Sequence, residues 1–282
     1  MFDFGAKHLS DIPITILDVE TTGLLPSMGH RVVEVGAVRL ENWQVVSQLN
    51  TLLNPQRKMD TRASAVNHIY DADLADKPLF HEVAEAMLAL TKDALLVAHN
   101  AAFDAGFLAM EFYINQFAAS SAFPAQPLPN PWLCTLELAR SYFQFGRNNL
   151  GEVARRLGVP MTVSHRALSD VYTTAEILQR MIGRLDKRRA GTVDDLLYAQ
   201  GRPIYTPTIP PVFLLEAIEE AVRNGRQLRI LYSNAGRDTD RLITPLYPTR
   251  HKGATYLVAH CHLRQDQRTF RLDRILGTKI VE

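Results

Sequence analysis

Two cysteines in 282 residues, Cys134 and Cys261, are too few and too far apart for a disulfide framework or a four-cysteine zinc site, which fits a reducing compartment. No apolar run approaches the roughly 18–20 uncharged residues of a spanning helix. The opening MFDFGAKHLS has no basic stretch leading into an apolar one, so the cytoplasm is the expected address and no membrane partner is expected. Charge of one sign is lacking too: 31 Lys and Arg face 30 Asp and Glu, a net +1. No overall field therefore draws the chain to nucleic acid or anionic lipid. Internal repeats of roughly 20–50 residues are also absent. What is present is an ordinary globular balance, 46% hydrophobic and 22% charged, which permits a core. The length fits two modest domains better than one.

Charge is uneven along the chain. Residues 1–185 carry 15 basic against 19 acidic side chains, and residues 211–282 carry 12 against 8. An acidic first part and a basic last part read as two modules with separate tasks. From Ile12 to about Asn54 three β-rich segments, IPITILDVE, RVVEVGAVRLE and WQVVSQLNTLL, follow one another over short turns and predict an antiparallel meander. HEVAEAMLAL and AFDAGFLAMEFYINQF have helical spacing on either side of a short buried strand, LLVAHN. A proline-rich loop leads to an expected strand at WLCTLELAR, a short helix at NLGEVARRLG and a long one from about Ala167 to Arg184. A first domain closes there, at residue 185. Residues 186–210, with a basic cluster and Pro203, Pro207 and Pro210, read as linker. Residues 211–282 open with a helix, VFLLEAIEEAVRNG, stopped by Gly225. The strands LRILYS, RLITPLY, ATYLVAHCHL and RTFRLDRI follow, a small β-barrel or sheet with one helix packed on it.

In LDVETTG, Asp18 and Glu20 stand two residues apart at the end of the first strand, so both side chains leave the same face. Acid pairs of this kind are usually a solvated strand end. Here the apolar ITIL before Asp18 and the Thr-Thr-Gly turn after Glu20 put the pair where a buried strand opens into a loop, a favoured place for sites. Asp104 falls in VAHNAAFDAGFL, within the first turns of a helix, and HRALSDVYTTAEIL places His165 before a helix and Asp170 inside it. Each of these alone has an ordinary explanation as a helix-end charge or a cap neighbour. Together, four carboxylates from one strand end and two helix starts are the all-oxygen donor set that a hard divalent cation takes.

LDVETTGLLP, HNAAFD and HRALSD, in this order and with AVNHIYDADLADKPLF between the first two, resemble the motifs of the DEDD-class 3′-to-5′ exonucleases with a histidine in the third motif, relatives of the bacterial polymerase epsilon proofreading subunit. The resemblance covers roughly residues 12–184. It implies an α/β fold, a ribonuclease-H-like α/β/α sandwich with a five-stranded mixed sheet whose first three strands are antiparallel. It also implies that Asp18, Glu20, Asp104 and Asp170 hold metal and that His165 is the general base. Four crowded carboxylates raise one another's pKa unless two divalent cations about 3.5–4 Å apart neutralise them. Two Mg²⁺ ions are expected, with Mn²⁺ able to substitute. An unperturbed histidine titrates near about 6.5 and can take a proton from an attacking water close to neutral pH. The resemblance further implies that Thr21, Thr22, Gly23 and Leu24 hold the terminal nucleotide, with Leu24 wedged against its base and Ile69 as the facing wall. Asn100 and Phe103 are further contacts. The family's His-Gly pair reads Asn67-His68 here, a departure that bears on the shape of that wall.

Residues 228–275 resemble a WYL domain, a small Sm/SH3-like β-barrel found in bacterial regulators and on nucleic-acid enzymes. The signature triplet reads Thr255-Tyr256-Leu257, without its tryptophan. On an alternating strand Leu257, Ala259, Cys261 and Leu263 share the core face, and Tyr256, Val258, His260 and His262 the other. That alternation separates Cys261 from both histidines and argues against zinc. Arg264, Arg268, Arg271 and Arg274 with Tyr256 and Phe270 offer charge beside aromatic surface, as single-strand binders use.

The expected function is a metal-dependent 3′-to-5′ exonuclease that acts on single-stranded DNA or the 3′ ends of DNA and releases nucleoside 5′-monophosphates, with the basic module binding or sensing nucleic acid. RNA as substrate and a non-catalytic nucleic-acid-binding regulator are the alternatives, and no residue marks a contact to a 2′ hydroxyl. Repair or turnover is preferred to proofreading beside a polymerase, since the C-terminal region carries the basic module in place of an evident polymerase-binding tail.

Overall fold

Short turns between β-branched segments leave the start of the chain no room for a crossover, and its first three strands pair as neighbours. The computed structural model describes residues 4–117, 127–161, 165–185, 191–234 and 236–281. β1 (Ile14–Thr21), β2 (Val32–Glu41) and β3 (Gln44–Leu52) form the antiparallel meander, with Ile14 opposite Leu40 and Glu34 opposite Leu52. Then come α1 (Thr61–Asn67), α2 (Asp71–Leu74), α3 (Phe80–Thr91), β4 (Leu95–Ala98), α4 (Ala101–Asn115) and β5 (Pro131–Cys134). β4 adds parallel to β1, and β5 parallel to β4. Three helices follow, α5 (Thr135–Tyr142), α6 (Leu150–Leu157) and α7 (Ala167–Arg184). The segment WLCTLELAR, expected as one strand, is strand only as far as Cys134 and helix thereafter. Its run of apolar residues is too short for periodicity to separate the two.

The stretch expected as linker departs furthest from its sequence reading. It holds α8 (Val193–Ala199) and β6 (Ile204–Tyr205), and β6 pairs antiparallel with β5. Among the described residues the sheet therefore has six strands, in the order β3-β2-β1-β4-β5-β6, where five were expected. Gln200 ties the added piece down: its side chain accepts from the Cys134 N–H at 2.9 Å and donates to the Trp132 carbonyl at 3.0 Å. Val193, Leu196 and Ala199 enter the core. A strand of two residues between Pro203 and Pro207 has no alternation to read, and its prolines signal a loop.

Helices cover both faces of the sheet. Ile14 and Ile16 of β1 meet Val153 and Leu157 of α6 and Val171, Ile177 and Met181 of α7. Leu17 and Val19, on the opposite face, meet Ala84 and Met87 of α3 and Phe107 and Phe112 of α4. The period of two along β1 thus puts Asp18 and Glu20 on the side of α7. Gly36 lies opposite Asp18 in the ladder and lets α7 come close, because a Cβ there would stand 2.5 Å from the carbonyl carbon of Ala167 and 2.6 Å from the nitrogen of Leu168.

The C-terminal part contains α9 (Glu216–Asn224) and a second sheet of β7 (Gln227–Asn234), β8 (Arg237–His251), β9 (Ala254–Cys261), β10 (Asp266–Arg271) and β11 (Ile275–Val281). The sheet is antiparallel, in the order β10-β9-β8-β7-β11. β11, ILGTKIV, escapes a sequence reading because Gly277 and Lys279 interrupt its apolar alternation. β8 tolerates Pro245 because its register shifts between Pro245 and Tyr247, the kind of irregularity at which a strand proline is accepted. Ile218, Ala221 and Val222 of α9 pack on Leu228, Ile230, Ile243, Leu257, Ala259 and Cys261. Leu263, expected on this core face, lies past the end of β9 and is 64% exposed. Val258, on the other face, packs with Tyr247 against Met110 and Tyr113 of α4. The second sheet therefore shares an apolar seam with α4.

Beneath the seam, Arg31 and Glu111 form a doubly hydrogen-bonded ion pair, at 2.8 Å from Nε and 2.7 Å from Nη2, with side chains only 7% and 2% exposed. Oε1 of Glu111 also accepts from the Val32 N–H at 2.9 Å. Glu111→Ala leaves the Val32 N–H without its partner and the buried Arg31 guanidinium with only the Pro55 carbonyl, at 3.5 Å, and should cost about 3–5 kcal/mol in urea denaturation. A loss below about 1 kcal/mol would mean that water replaces the carboxylate. Among the described residues no helix is long and apolar enough to cross a membrane.

Candidate active site

Asp18 and Glu20 meet α7 at its first turn. Glu34 of β2, 1% exposed, accepts from the Arg166 guanidinium at 3.0–3.2 Å and from the Ala167 N–H at 3.2 Å, which seats the start of that helix on the sheet. His165, one residue earlier, is held at φ +60, a conformation that costs a non-glycine residue energy. Its N–H donates to Asp170 Oδ2 at 3.2 Å. Asp104 arrives from the opposite layer, in the first turn of α4, and its Oδ1 accepts the Val19 N–H at 3.1 Å. Three separate elements thus deliver carboxyls to one place. Asp18, Glu20, Asp104, Asp170 and His165 line a cleft of about 430 Å³, and Glu20, His165 and Asp170 bring ligating atoms within 4.8 Å of one another.

Burial raises the pKa of all four carboxyls. Asp18 and Asp104 are held well above the ordinary carboxylate range, by burial first in both cases and, for Asp18, next by the charge of Asp104. Glu20 is pushed up to about 7 by burial and then by the charge of Asp170. Asp170 rises to about 6 through burial, with His165 acting in the opposite direction. Carboxyls crowded in this way are stable as anions only beside positive charge. Asp170 Oδ1 is buried without a hydrogen-bond partner. A buried orphan oxygen within an all-carboxylate donor set fits a hard divalent cation.

The turn after β1 is built from buried residues and ends in an exposed one. The Thr22 N–H donates to the Arg31 carbonyl at 2.9 Å, its Oγ1 accepts from the Arg31 N–H at 3.0 Å, and the same oxygen lies 3.1 Å from His30 Nδ1. Gly23 has no room for a side chain, since a Cβ would stand 2.3 Å from the His30 ring. Thr21 and Thr22 are buried, whereas Leu24 is 78% exposed and Leu25 next to it 46%. Ile69, expected as the facing wall, is instead 3% exposed in a small core with Val33 and Leu74. His68 turns the chain just before it at φ +56, a histidine in the conformation glycine favours. Asn67 does the work that sequence reading missed: Nδ2 donates to the Thr21 carbonyl at 3.3 Å, Oδ1 accepts the Ile69 N–H at 3.2 Å, and the side chain works against burial to lower the Glu20 pKa. The one signal pointing to it was the departure from His-Gly.

Phe103 lines the cleft, its ring 4.8 Å from that of Phe107. Asn100, at φ +77 before α4, is exposed outside the lining. His99 also lines the cleft, unforeseen; Nε2 is 2.8 Å from the Asn148 carbonyl and Nδ1 2.9 Å from Thr135 Oγ1. Burial lowers its pKa to about 4, so it is a neutral bridge between two cleft walls and no acid at neutral pH.

Of the six aromatic and basic residues expected to form one C-terminal surface, Arg264, Arg268 and Phe270 line one cleft and Tyr256 and Arg271 another. Arg264 and Arg268 line a cleft of about 800 Å³ with Arg237 and Arg241 of β8, two arginines far away in sequence. Phe270 also lines that cleft, is 6% exposed and meets Tyr232 edge-on at 5.2 Å. Tyr256 and Arg271 line a different recess, where Arg271 pairs with Asp273 at 2.8 Å. Arg274 donates to Asn234 at 2.9 Å.

The family model for exonucleases, RNase_T, matches residues 15–178, a span that holds all five clustered side chains. The chain belongs to the exonuclease family. A WYL-domain model matches residues 214–280 of this exonuclease-family chain. Among its curated relatives, the PolC-type DNA polymerase III of Staphylococcus epidermidis is 31% identical over 180 residues, 64% of this chain and 12% of the polymerase. That of Thermotoga maritima is 32% identical over 177 residues, 63% and 12%. The chain thus spans only a small part of the length of these relatives. Among solved structures, E. coli Exonuclease I in complex with a dA16 oligonucleotide superposes with a TM-score of 0.54 at 16% identity, covering 88% of this chain and 55% of that one. A 3′-exonuclease that recognises histone mRNA stem-loop superposes with a TM-score of 0.50 at 17% identity, covering 61% and 81%. The fold these structures share with the chain is the ribonuclease-H-like α/β arrangement.

Proposed function

We propose that the protein is a metal-dependent 3′-to-5′ exonuclease that hydrolyses single-stranded DNA to nucleoside 5′-monophosphates. The observation that carries this reading is the convergence of Asp18, Glu20, Asp104, Asp170 and His165 on one cleft. Divalent cations bound by the four carboxylates, Mg²⁺ or in its place Mn²⁺, would supply Lewis acidity and charge neutralisation for phosphodiester hydrolysis. His165 is exposed, so its ring is open to water and takes the proton of the attacking water as general base. Water's oxygen bonds to phosphorus, the bond from phosphorus to the 3′ oxygen of the preceding sugar breaks, and the shortened strand keeps that oxygen as a hydroxyl. The Glu34 contacts to Arg166 and Ala167 hold the histidine's segment over the carboxylates, and Leu24 and Phe103 flank the departing nucleotide.

DNA is favoured because the two curated relatives are DNA polymerases and the Exonuclease I neighbour holds a dA16 oligonucleotide. Matched DNA and RNA strands, with products identified by mass spectrometry, test the reading. Nucleoside 5′-monophosphates should appear, faster from DNA. Nucleoside 3′-monophosphates, or faster loss of RNA, would count against it.

We further read the C-terminal sheet as a small Sm/SH3-like barrel of the WYL kind, and place the boundary between the two units between β6 and α9. Its cleft of Arg237, Arg241, Arg264 and Arg268 grips strand phosphates. Replacing Arg237 and Arg264 together by alanine should weaken single-stranded DNA binding and reduce the slope of log affinity against log salt by roughly 0.7 per arginine. Fluorescence anisotropy over a salt series measures this, and an unchanged slope would take the cleft out of the strand's path.

A further inference from the structure

The turn that presents Leu24 and Leu25 has two ends, and the nuclease sheet holds one of them, at Thr22. The other end is a single 3₁₀ turn, Pro26–Met28, closed by Gly29 at φ +84. That end is held by the C-terminal sheet. Thr249 Oγ1 of β8 donates to the Ser27 carbonyl at 3.1 Å, Ser27 Oγ and His251 Nδ1 lie 2.8 Å apart, and Gln267 Nε2 of β10 donates to the Gly29 carbonyl at 3.0 Å. Arg57 donates to the same carbonyl from the nuclease side. Thr249 is 0% and Gln267 8% exposed, so these bonds are made away from water, where an unpaired partner costs most. Gly29 stands at a φ that favours glycine, and a Cβ there would press on Gln267 Nε2 at 2.9 Å. The apolar seam of Tyr247 and Val258 on Met110 and Tyr113 holds β8 and β9 against α4, whose Glu111 binds Arg31, the partner of Thr22. Both ends of the turn are thereby coupled to the C-terminal sheet, one directly and one through α4.

We propose that the C-terminal sheet positions the nucleotide-seating turn, with Gln267, Thr249 and His251 as positioning residues, so that the module shapes the grip on the terminal nucleotide in addition to any strand binding of its own. This rests on the reading of the turn as the seat of the 3′-terminal nucleotide. With those bonds removed, Arg57 alone holds the Gly29 carbonyl, Ser27 loses both of its partners on β8, and the conformations of the segment from Leu24 to Gly29 multiply. The cost falls on substrate binding, since the carboxylates and His165 are held by other contacts. KM rises and kcat stays nearly unchanged.

The test uses the full chain with Gln267→Met and Thr249→Val, separately and together; each keeps the approximate size of the side chain and removes the donor. Two substrates are compared with Mn²⁺: a single-stranded DNA oligonucleotide, and the p-nitrophenyl ester of thymidine 5′-monophosphate, which fills the terminal seat and has no upstream phosphates. The double variant should raise KM for the ester about 5- to 20-fold, the range set by one to two lost hydrogen bonds, with kcat within about twofold and a similar factor on DNA. If the double variant fails to fold, the half-buried His251→Ala carries the same comparison with a smaller expected factor. An ester KM unchanged in folded variants, or a rise confined to DNA, overturns the proposal. Wild-type protein inactive on both substrates would overturn the nuclease reading itself and the proposal with it, a result distinguished by its appearance before any substitution.

Discussion

Asp18→Asn is expected to cut the hydrolysis rate by at least about 10²–10³-fold, the range for losing one preorganised electrostatic group, while raising the melting temperature of the metal-free protein at pH 8. The second half follows from the crowding. Asp104, Glu20 and Asp170 all push the Asp18 carboxyl up, on top of its burial. Glu20 moves from 4.5 to about 7 and Asp170 from 3.8 to about 6. A carboxyl whose folded pKa exceeds its unfolded one contributes fully below the unfolded value, and the contribution is lost as pH rises through the folded value. Metal-free wild type should therefore lose stability between about pH 4 and pH 7, and a bound cation should restore it. Asparagine keeps the shape of Asp18 and removes one of the repelling charges. Thermal unfolding at pH 5 and pH 8, with and without Mg²⁺, reads all of this. A lower melting temperature for metal-free Asp18→Asn at pH 8 would show that the carboxylate makes a stabilising contact the crowding does not reveal.

His165→Ala should lower kcat by about 10²–10⁴-fold, the usual share of a general base, with KM changed little. Imidazole added to the buffer should restore part of the rate, because the cleft is open where His165 stands exposed. The backbone contact from the residue 165 N–H to Asp170 survives the substitution, so melting temperature should change little. An unchanged kcat would assign the proton to another group.

What could be read before the fold was known followed local periodicity. Two-residue spacing placed Asp18 and Glu20 on one face, and the structure keeps both in the cleft. Which layer that face meets was not local information: it depends on Gly36 admitting the backbone of α7 at Ala167. The sixth strand was hidden because two residues between prolines have no period, and β11 because a glycine and a lysine interrupt its pattern. Arg237 and Arg241 were missed for another reason, since only the pairing of β7 with β8 and of β8 with β9 carries them beside Arg264 and Arg268. Phe270 and Ile69 misled in the opposite direction. Both are apolar residues near expected sites, and both are consumed by cores, at 6% and 3% exposure. The contacts of Gln267 and Thr249 with the 27–29 turn join positions more than 200 residues apart, a relation that no sequence window contains.

Digestion of a 5′-labelled single-stranded DNA oligonucleotide with Mg²⁺, beside EDTA and Asp18→Asn controls, tests the central claim most directly. The account predicts a ladder that shortens from the 3′ end and disappears with the chelator or the substitution. Folded protein that binds the strand without shortening it under any divalent cation, or that shortens it from the 5′ end, would contradict it.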